Sequence, residues 1–327
     1  MKATLLLSIP ASFLTTYLFI KWMLRSGAAM LAIDAPNARS LHKRPIPRTG
    51  GLGIIAGTVA GLAILDEGWI FPLLILSCAI AAVSFLDDVK DIHAGYRLSI
   101  HLVAAYVLVG VFLRLQTGII VAAVLALAWM TNLFNFMDGS DGLAGGMAAL
   151  GFGFYGLASL LAGDITFSLA NLAISAAASA FLIYNFHPAR IFMGDAGSTF
   201  LGFLSGAIGL IGWQKGLWSL WSPMLIFSPF IIDSTLTLLK RLTRREKIWR
   251  AHCEHYYQRL IKMGYGHKNT ALIEYCFMIS SGAAGCFLPN GAAKWAVILF
   301  VACSYLAFIL IIDISWKKFI TKKCPGQ

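Results

Sequence analysis

Residues 132–146, NLFNFMDGSDGLAGG, place two asparagines and two aspartates among glycines between two long apolar runs. Polar groups beside hydrocarbon are costly and mark function when they occur. Four further stretches share this character: NARSLHKRPIPRTGG (37–51), FLDDVKDIHAGYR (85–97), YNFHPARIFMGDAGS (184–198) and KRLTRREKIWRAHCEHYYQRL (240–260). Asp87 and Asp88 are adjacent carboxylates, which repel unless a cation sits beside them. Asn132, Asn135, Asp138 and Asp141 recur every three residues, so a helix would set all four on one stripe. Gly139 and Gly142 let the chain break there, or let a ligand approach the backbone. A calcium loop is excluded, because the twelfth residue from Asp138 is Ala149 where that loop needs a glutamate.

Asp195 lies between Gly194 and Gly197 at the start of an apolar run, as at a helix N-terminus whose free N–H groups favour anions. The plainer alternative is a helix cap supplied by Asp195 or Ser198. His252 and His255 stand three apart on an expected helix, flanked by Arg250 and Arg259. H-x-x-H without further ligand spacing is a weak zinc signal, whereas a basic face suits phosphate. Lys240, Arg241, Arg244 and Arg245 read as a polybasic segment at a lipid surface. Carboxylates for a hard divalent cation beside bases for phosphate are the parts of phosphoryl transfer.

These groups need a scaffold, and composition says what kind. The chain has 327 residues, 58% apolar and only 13% charged. A lipid-spanning helix needs about 20 mostly apolar residues, and eleven such runs are expected: 3–23, 51–66, 69–86, 98–116, 118–136, 142–162, 166–184, 197–213, 217–239, 269–288 and 292–315. Lys21 and Arg25 after the first run favour a retained span over a cleaved signal peptide. With the N-terminus outside, the inner segments and Lys21 hold 22 of the 26 Lys and Arg residues, leaving Lys2, Arg114, Lys215 and Lys294 outside. Positive charge favours the cytoplasmic side, so the expectation is an N-out, C-in bundle, all-α and polytopic, in a bacterial cytoplasmic (inner) membrane. All five polar stretches then fall on one face. The net charge of +11 needs no nucleic-acid partner; it suits an anionic leaflet of membrane lipid and anionic substrates. The six cysteines are scattered with no C-x-x-C pair, and no repeat or soluble domain interrupts the single domain 1–327.

The motifs RPIPRTGG, FLDDVKD, NLFNFMDGSDGLAGG, NFHPARIFMGDAGS and AHCEHYYQRL, in this order, resemble those of the polyprenyl-phosphate N-acetylhexosamine-1-phosphate transferases, glycosyltransferase family 4. The resemblance implies transfer of an N-acetylhexosamine 1-phosphate from a UDP-N-acetylhexosamine to undecaprenyl phosphate, with Mg²⁺ or Mn²⁺ on Asn135 and Asp195. It implies catalytic roles for Asp87, Asp88, His252 and His255, with Asp87 the better candidate to meet the lipid phosphate. It places Arg44, Lys90, Asn132, Asp138, Asp141, Asn185, Phe192 and Arg250 around the substrates. The A-H-x-x-H-x-Y-Q form is similar to the O-antigen-initiating branch that uses 6-deoxy donors such as UDP-N-acetylfucosamine or UDP-N-acetylquinovosamine. It argues against a MurNAc-pentapeptide donor and leaves GlcNAc and GalNAc open. The sequence also leaves open a homo-oligomer. The main rival is a secondary transporter for an anionic solute, which predicts charges at mid-membrane and a repeat between halves.

Overall fold

A computed structural model describes residues 3–36, 41, 44–90, 92–247, 252–289 and 291–323. Every apolar run becomes helical. The first four form α1 (Ser8–Ser26), α2 (Gly50–Leu62), α3 (Ile70–Lys90) and α4 (Ala94–Tyr106). The next four are α5 (Thr117–Phe136), α6 (Leu143–Leu161), α7 (Ile165–Asn185) and α8 (Gly194–Gln214). The ninth run is broken into α9 (Trp221–Ile226) and α10 (Ser228–Thr243), with Pro229 in the first turn of α10. Proline has no N–H to donate and is tolerated only at a helix start, so the run cannot continue as one helix. A short α11 (Tyr256–Leu260) precedes α12 (Gly266–Cys286) and α13 (Ala293–Lys323). Eight helices are long and apolar enough to cross a membrane, α4 among them because it continues as a π-helix to Phe112, while α2, with 13 residues, is shorter than a full span.

The most enclosed helix is α8, with α3 and α5 packed on it and α2 crossing its N-terminal end. Helices α1, α2, α6 and α7 form the adjoining layer. Small residues allow these helices to approach closely, as is usual where lipid supplies no hydrophobic drive between them. The tightest approach joins α2 to α8: a Cβ at Gly51 would lie 2.4 Å from the Gly197 Cα, so the two glycines meet backbone to backbone. Phe134, Phe152, Tyr155, Phe227 and Phe230 are fully buried between α5, α6 and α10. Phe71, Leu299 and Phe300 are exposed, as expected of lipid-facing residues. The only regular strands among the described residues are β1 (Ile33–Asp34) and β2 (Ile46–Pro47), an antiparallel pair that leads the chain into α2.

Candidate active site

Three segments distant in sequence meet at the N-terminus of α8. Phe192 N–H donates to Pro47 O at 2.7 Å, Gly50 N–H to Phe192 O at 2.9 Å and Gly51 N–H to Met193 O at 2.8 Å. This ladder carries Arg48 to the end of α3, where its Nη2 donates to Asp88 O at 2.6 Å and its Nε lies 3.4 Å from Asp88 Oδ1. Gly194 turns the chain into α8 at φ +75°, and a Cβ there would sit 2.1 Å from Arg48 O. The first amides of α8 then face carboxylates: Gly194 N–H donates to Asp138, and Ala196 N–H to Asp88 Oδ2 at 3.4 Å. Helix dipole and free amides both favour negative charge at that end.

Arg97, in α4, completes the cluster. Its Nη1 donates to Asp195 Oδ2 at 3.0 Å and also pairs with Asp87 Oδ2, while Asp87 Oδ1 accepts from Ile92 N–H at 2.6 Å. Asn135 Nδ2 donates to Ser198 Oγ at 3.0 Å, joining α5 to α8 beside Asp195. Four carboxylates, Asp87, Asp88, Asp138 and Asp195, thus face two guanidinium groups. Burial, then the charges of Asp195, Asp88 and Asp34, push the Asp138 carboxyl well above the usual carboxylate range. Asp88 Oδ1 is buried and accepts no hydrogen bond among the described residues. Excess negative charge, and a carboxylate oxygen met only by the distant Arg48 Nε, are what a hard cation relieves. Among the described residues, no three His, Cys, Asp or Glu side chains could hold a metal by themselves. The donor set therefore fits Mg²⁺ in its common form, with one or two protein carboxylates, water and substrate phosphate.

The stripe expected of Asn132, Asn135, Asp138 and Asp141 holds only for the two asparagines. Helix α5 stops at Phe136, and Gly142, at φ +76°, starts the next helix, so Asp138 and Asp141 sit in the turn and diverge. Asp141 Oδ2 instead accepts from His187 Nδ1 at 2.6 Å and Ala189 N–H at 3.1 Å. His267 lies on its other side, with Nδ1 3.8 Å from Asp141 Oδ1 and its ring stacked on His187. Asn185 is buried, its Oδ1 accepting from Gly142 N–H at 2.9 Å and its Nδ2 donating to Ile191 O at 3.0 Å. It ties the two motif loops together. Asn132 Nδ2 donates to Ala128 O at 2.7 Å and lies 3.3 Å from His101 Nδ1. Phe192 is half-buried in the backbone ladder. Arg44 and Lys90 are exposed, and Arg250 lies outside the described residues. The arginine of the RPIPR stretch that enters the cluster is Arg48.

The two histidines precede a helix instead of sharing one. Helix α11 starts only at Tyr256, with His255 as its N-cap, whose N–H donates to Gln258 Oε1 at 3.1 Å. Asp233 in α10 explains the late start. Its carboxylate accepts from Tyr256 N–H at 3.0 Å, Tyr257 N–H at 3.1 Å and His255 Nδ1 at 3.0 Å. Tyr257 then donates to Phe136 O at 3.3 Å, which seats this segment beside the end of α5. Burial, His255 and Arg241 lower the pKa of His252 to about 4. It is neutral at pH 7, and its buried Nδ1 has no hydrogen-bond partner among the described residues.

Behind the cluster, an apolar cavity of about 250 Å³ runs between α5, α8, α9 and α10, lined by Ala126, Met130, Gly206, Leu210 and Met224 among others. From Asp195 to Gly206 is eleven residues, about 16 Å along α8 at ~1.5 Å per residue.

Residues 70–212 match glycosyl transferase family 4. The chain is 30% identical over 322 residues to a probable undecaprenyl-phosphate N-acetylglucosaminyl 1-phosphate transferase of Bacillus subtilis, covering 92% of this chain and 87% of the relative. It is 27% identical over 318 residues to the decaprenyl-phosphate N-acetylglucosaminephosphotransferase of Mycobacterium tuberculosis, covering 82% and 79%. It is 24% identical over 318 residues to the undecaprenyl-phosphate alpha-N-acetylglucosaminyl 1-phosphate transferase of Yersinia pestis, covering 87% and 85%.

Proposed function

The chain belongs to glycosyl transferase family 4, the polyprenyl-phosphate N-acetylhexosamine-1-phosphate transferases, and from that premise we propose that it transfers N-acetylhexosamine 1-phosphate from a UDP-N-acetylhexosamine to undecaprenyl phosphate. A phosphate oxygen of the lipid attacks the sugar-bearing β-phosphorus. The bond from that phosphorus to the bridging oxygen breaks, UMP leaves with that oxygen, and a lipid-linked diphosphate sugar remains. The observation that carries this reading is the joining of Asp88, Asp138 and Asp195 with Arg48 and Arg97 at the N-terminus of α8. The apolar cavity farther along α5 and α8 suits a prenyl chain whose phosphate lies in that cluster.

Each group then has a role. Arg48 and Arg97 balance phosphate charge, and the α8 amides hold the carboxylates in place. Asp195 and Asn135 would hold Mg²⁺ or Mn²⁺, which neutralises the diphosphate when bound. Asp87 orients the lipid phosphate; a strong base is not required, because a phosphate monoester has its second pKa near 6 and is largely dianionic at pH 7. Asp233 makes Nδ1 the protonated nitrogen of His255, since a carboxylate only accepts, and leaves Nε2 for the substrate. His252 enters as a neutral group. Fixing lipid and nucleotide in line supplies much of the acceleration.

UDP-N-acetylglucosamine is the first donor to test, because the relatives above carry that sugar in their names. The A-H-x-x-H-x-Y-Q form supports N-acetylfucosamine or N-acetylquinovosamine, and a place at the start of O-antigen or another cell-surface polysaccharide. Charge placement supports an N-out, C-in chain in the cytoplasmic membrane, with the cluster facing the cytoplasm. The test is UMP release by purified protein given undecaprenyl phosphate, Mg²⁺ and a panel of UDP-N-acetylhexosamines, with Asp195→Asn and a chelated sample alongside. Release with a donor, lost in both controls, is expected. Folded protein that releases no UMP from any donor, yet takes up labelled solute in proteoliposomes, would replace this reading with a transporter.

A further inference from the structure

A second charged cavity, of about 700 Å³, opens between the end of α10, α11 and the last turns of α13. None of the carboxylates of the α8 cluster lines it. Four cations, Lys240, Arg244, Arg259 and Lys317, face two carboxylates, Glu254 and Asp313, so four minus two leaves a surplus of two positive charges. Asp313 gathers two of the cations, Lys240 Nζ at 2.6 Å and Arg259 Nη1 at 2.8 Å. Arg244 pairs with Glu254 and also, at 3.0 Å, with Glu246, which stands outside the cavity. The Arg259 side chain is largely buried, and its guanidinium lies over the Tyr256 ring at 4.9 Å and the Trp316 ring at 5.9 Å. An ion network that only tied α13 to α10 would close on itself; this one frames a space.

The lining from α13 also includes hydrocarbon beside Asp313 and Lys317. Leu310 and Ile314, one turn apart on α13, line the cavity and are 51% and 55% exposed. Trp316 follows, then Lys317, Lys318 and Lys322, the order expected where a helix leaves the acyl region through the headgroup layer. One cavity therefore combines exposed apolar side chains with an excess of cations, as a phospholipid's acyl chains and phosphate require.

We infer that this cavity seats an anionic membrane phospholipid, its phosphate among Arg244, Arg259 and Lys317 and its acyl chains along Leu310 and Ile314. The site bears on the His252–His255 segment, because Arg259 Nε donates to Glu254 O at 2.9 Å, one residue before His255. The bound headgroup would order that segment from outside the α8 cluster. Binding itself does not depend on the proposed reaction.

The test uses the full chain in detergent, mixed with phosphatidylglycerol or phosphatidylcholine and examined by intact-complex mass spectrometry, with thermal unfolding in parallel. Phosphatidylglycerol should be retained in preference and raise the melting temperature. Arg244→Gln and Lys317→Gln should each lower its retention about fivefold, the share expected of one basic residue near an anionic headgroup. Lys318→Gln, whose lysine does not line the cavity, should leave retention unchanged. Equal losses from Lys317→Gln and Lys318→Gln would mean only a diffuse basic surface. Equal retention of phosphatidylcholine, or equal thermal protection by inorganic phosphate, would overturn the lipid site, the latter in favour of a free-phosphate site.

Discussion

The carboxylate of Asp233 accepts a hydrogen bond from His255 Nδ1 at 3.0 Å while also capping α11 through the Tyr256 and Tyr257 amides. One side chain thus decides where the helix begins and which tautomer the histidine adopts. Asp233→Asn keeps the size and one acceptor oxygen but loses the charge that favours a protonated Nδ1. It should fold, with KM for the UDP-sugar little changed and kcat lowered about tenfold, less than the ~10²–10⁴-fold that removing an acid–base group itself costs. Asp233→Ala should in addition lose about 1 kcal/mol of stability for the helix cap. Steady-state UMP release and thermal unfolding of both variants check this; wild-type kcat in Asp233→Asn would remove His255 from the reaction.

Arg97 binds Asp195 and Asp87, carboxylates from different helices, so it is both a structural bridge and one of the cluster's two guanidinium charges. Arg97→Ala should lower kcat/KM by about 10²-fold or more, the loss seen when one preorganised charge-stabilising donor is removed. Arg97→Lys should recover only part, because a single nitrogen, Nη1, meets both carboxylates, and the shorter, more strongly hydrated ammonium replaces it imperfectly. Full activity in Arg97→Ala would show that the bridge only closes the substrate-free site.

Much of this was legible beforehand and the misses have physical causes. Apolar runs mark the helices, because spanning length is written in composition. The break at Phe227 was also marked, by Pro229, within a run read as continuous. Arg48 and Arg97 lie within polar stretches, but nothing local distinguishes them from the other basic residues there. Which arginine meets a carboxylate depends on the approach of Gly51 to Gly197 and on the start of α4, which no local pattern encodes. Asp233 did carry a signal: it is the lone acidic residue in the run 217–239, and a carboxylate within an apolar run is a functional candidate by default. Asp141 was assigned to the stripe because its spacing continued the period of α5 beyond the true end of that helix.

The carboxyl of Asp138, raised by burial and by neighbouring carboxylates, makes metal-free stability depend on pH. A raised folded pKa means the native state holds a proton that the unfolded chain has released. Stability contributed this way is present at low pH and is lost as pH rises through the folded value. A divalent cation offsets the same repulsion, so Mg²⁺ should raise the melting temperature more at pH 8 than at pH 5.5. Its binding should also release protons, measurable by calorimetry in buffers of different ionisation enthalpy. The same Mg²⁺ shift at both pH values would disconnect Asp138 from the ion.

His252 titrates in the opposite sense. Its folded pKa, near 4, lies below the ordinary histidine value of about 6.5, so between these the unfolded chain binds a proton that the native state refuses. Stability should therefore fall as pH drops through that window. His252→Gln removes the effect and should narrow the difference in melting temperature between pH 7 and pH 5. The acid limb of kcat/KM should remain in that variant, since the lipid phosphate, with its pKa near 6, governs it. Disappearance of that limb would make His252 the titrating group.

The apolar cavity between α5 and α8 makes the last prediction separable from the chemistry. Ala126 lines it and is exposed, roughly two and a half turns of α5 from Asn135 at ~3.6 residues per turn. Ala126→Trp would fill much of the path along which a prenyl chain lies without touching a carboxylate or a guanidinium. For undecaprenyl phosphate, KM should rise about tenfold, the cost of losing one well-buried chain segment at roughly 1–3 kcal/mol. For dimethylallyl phosphate, whose single isoprene unit is too short to reach as far, KM should change little, and kcat with saturating lipid should hold for both. If the two acceptors suffer equally, the substitution has disturbed the phosphate site, and if neither suffers, the chain runs elsewhere on the bundle.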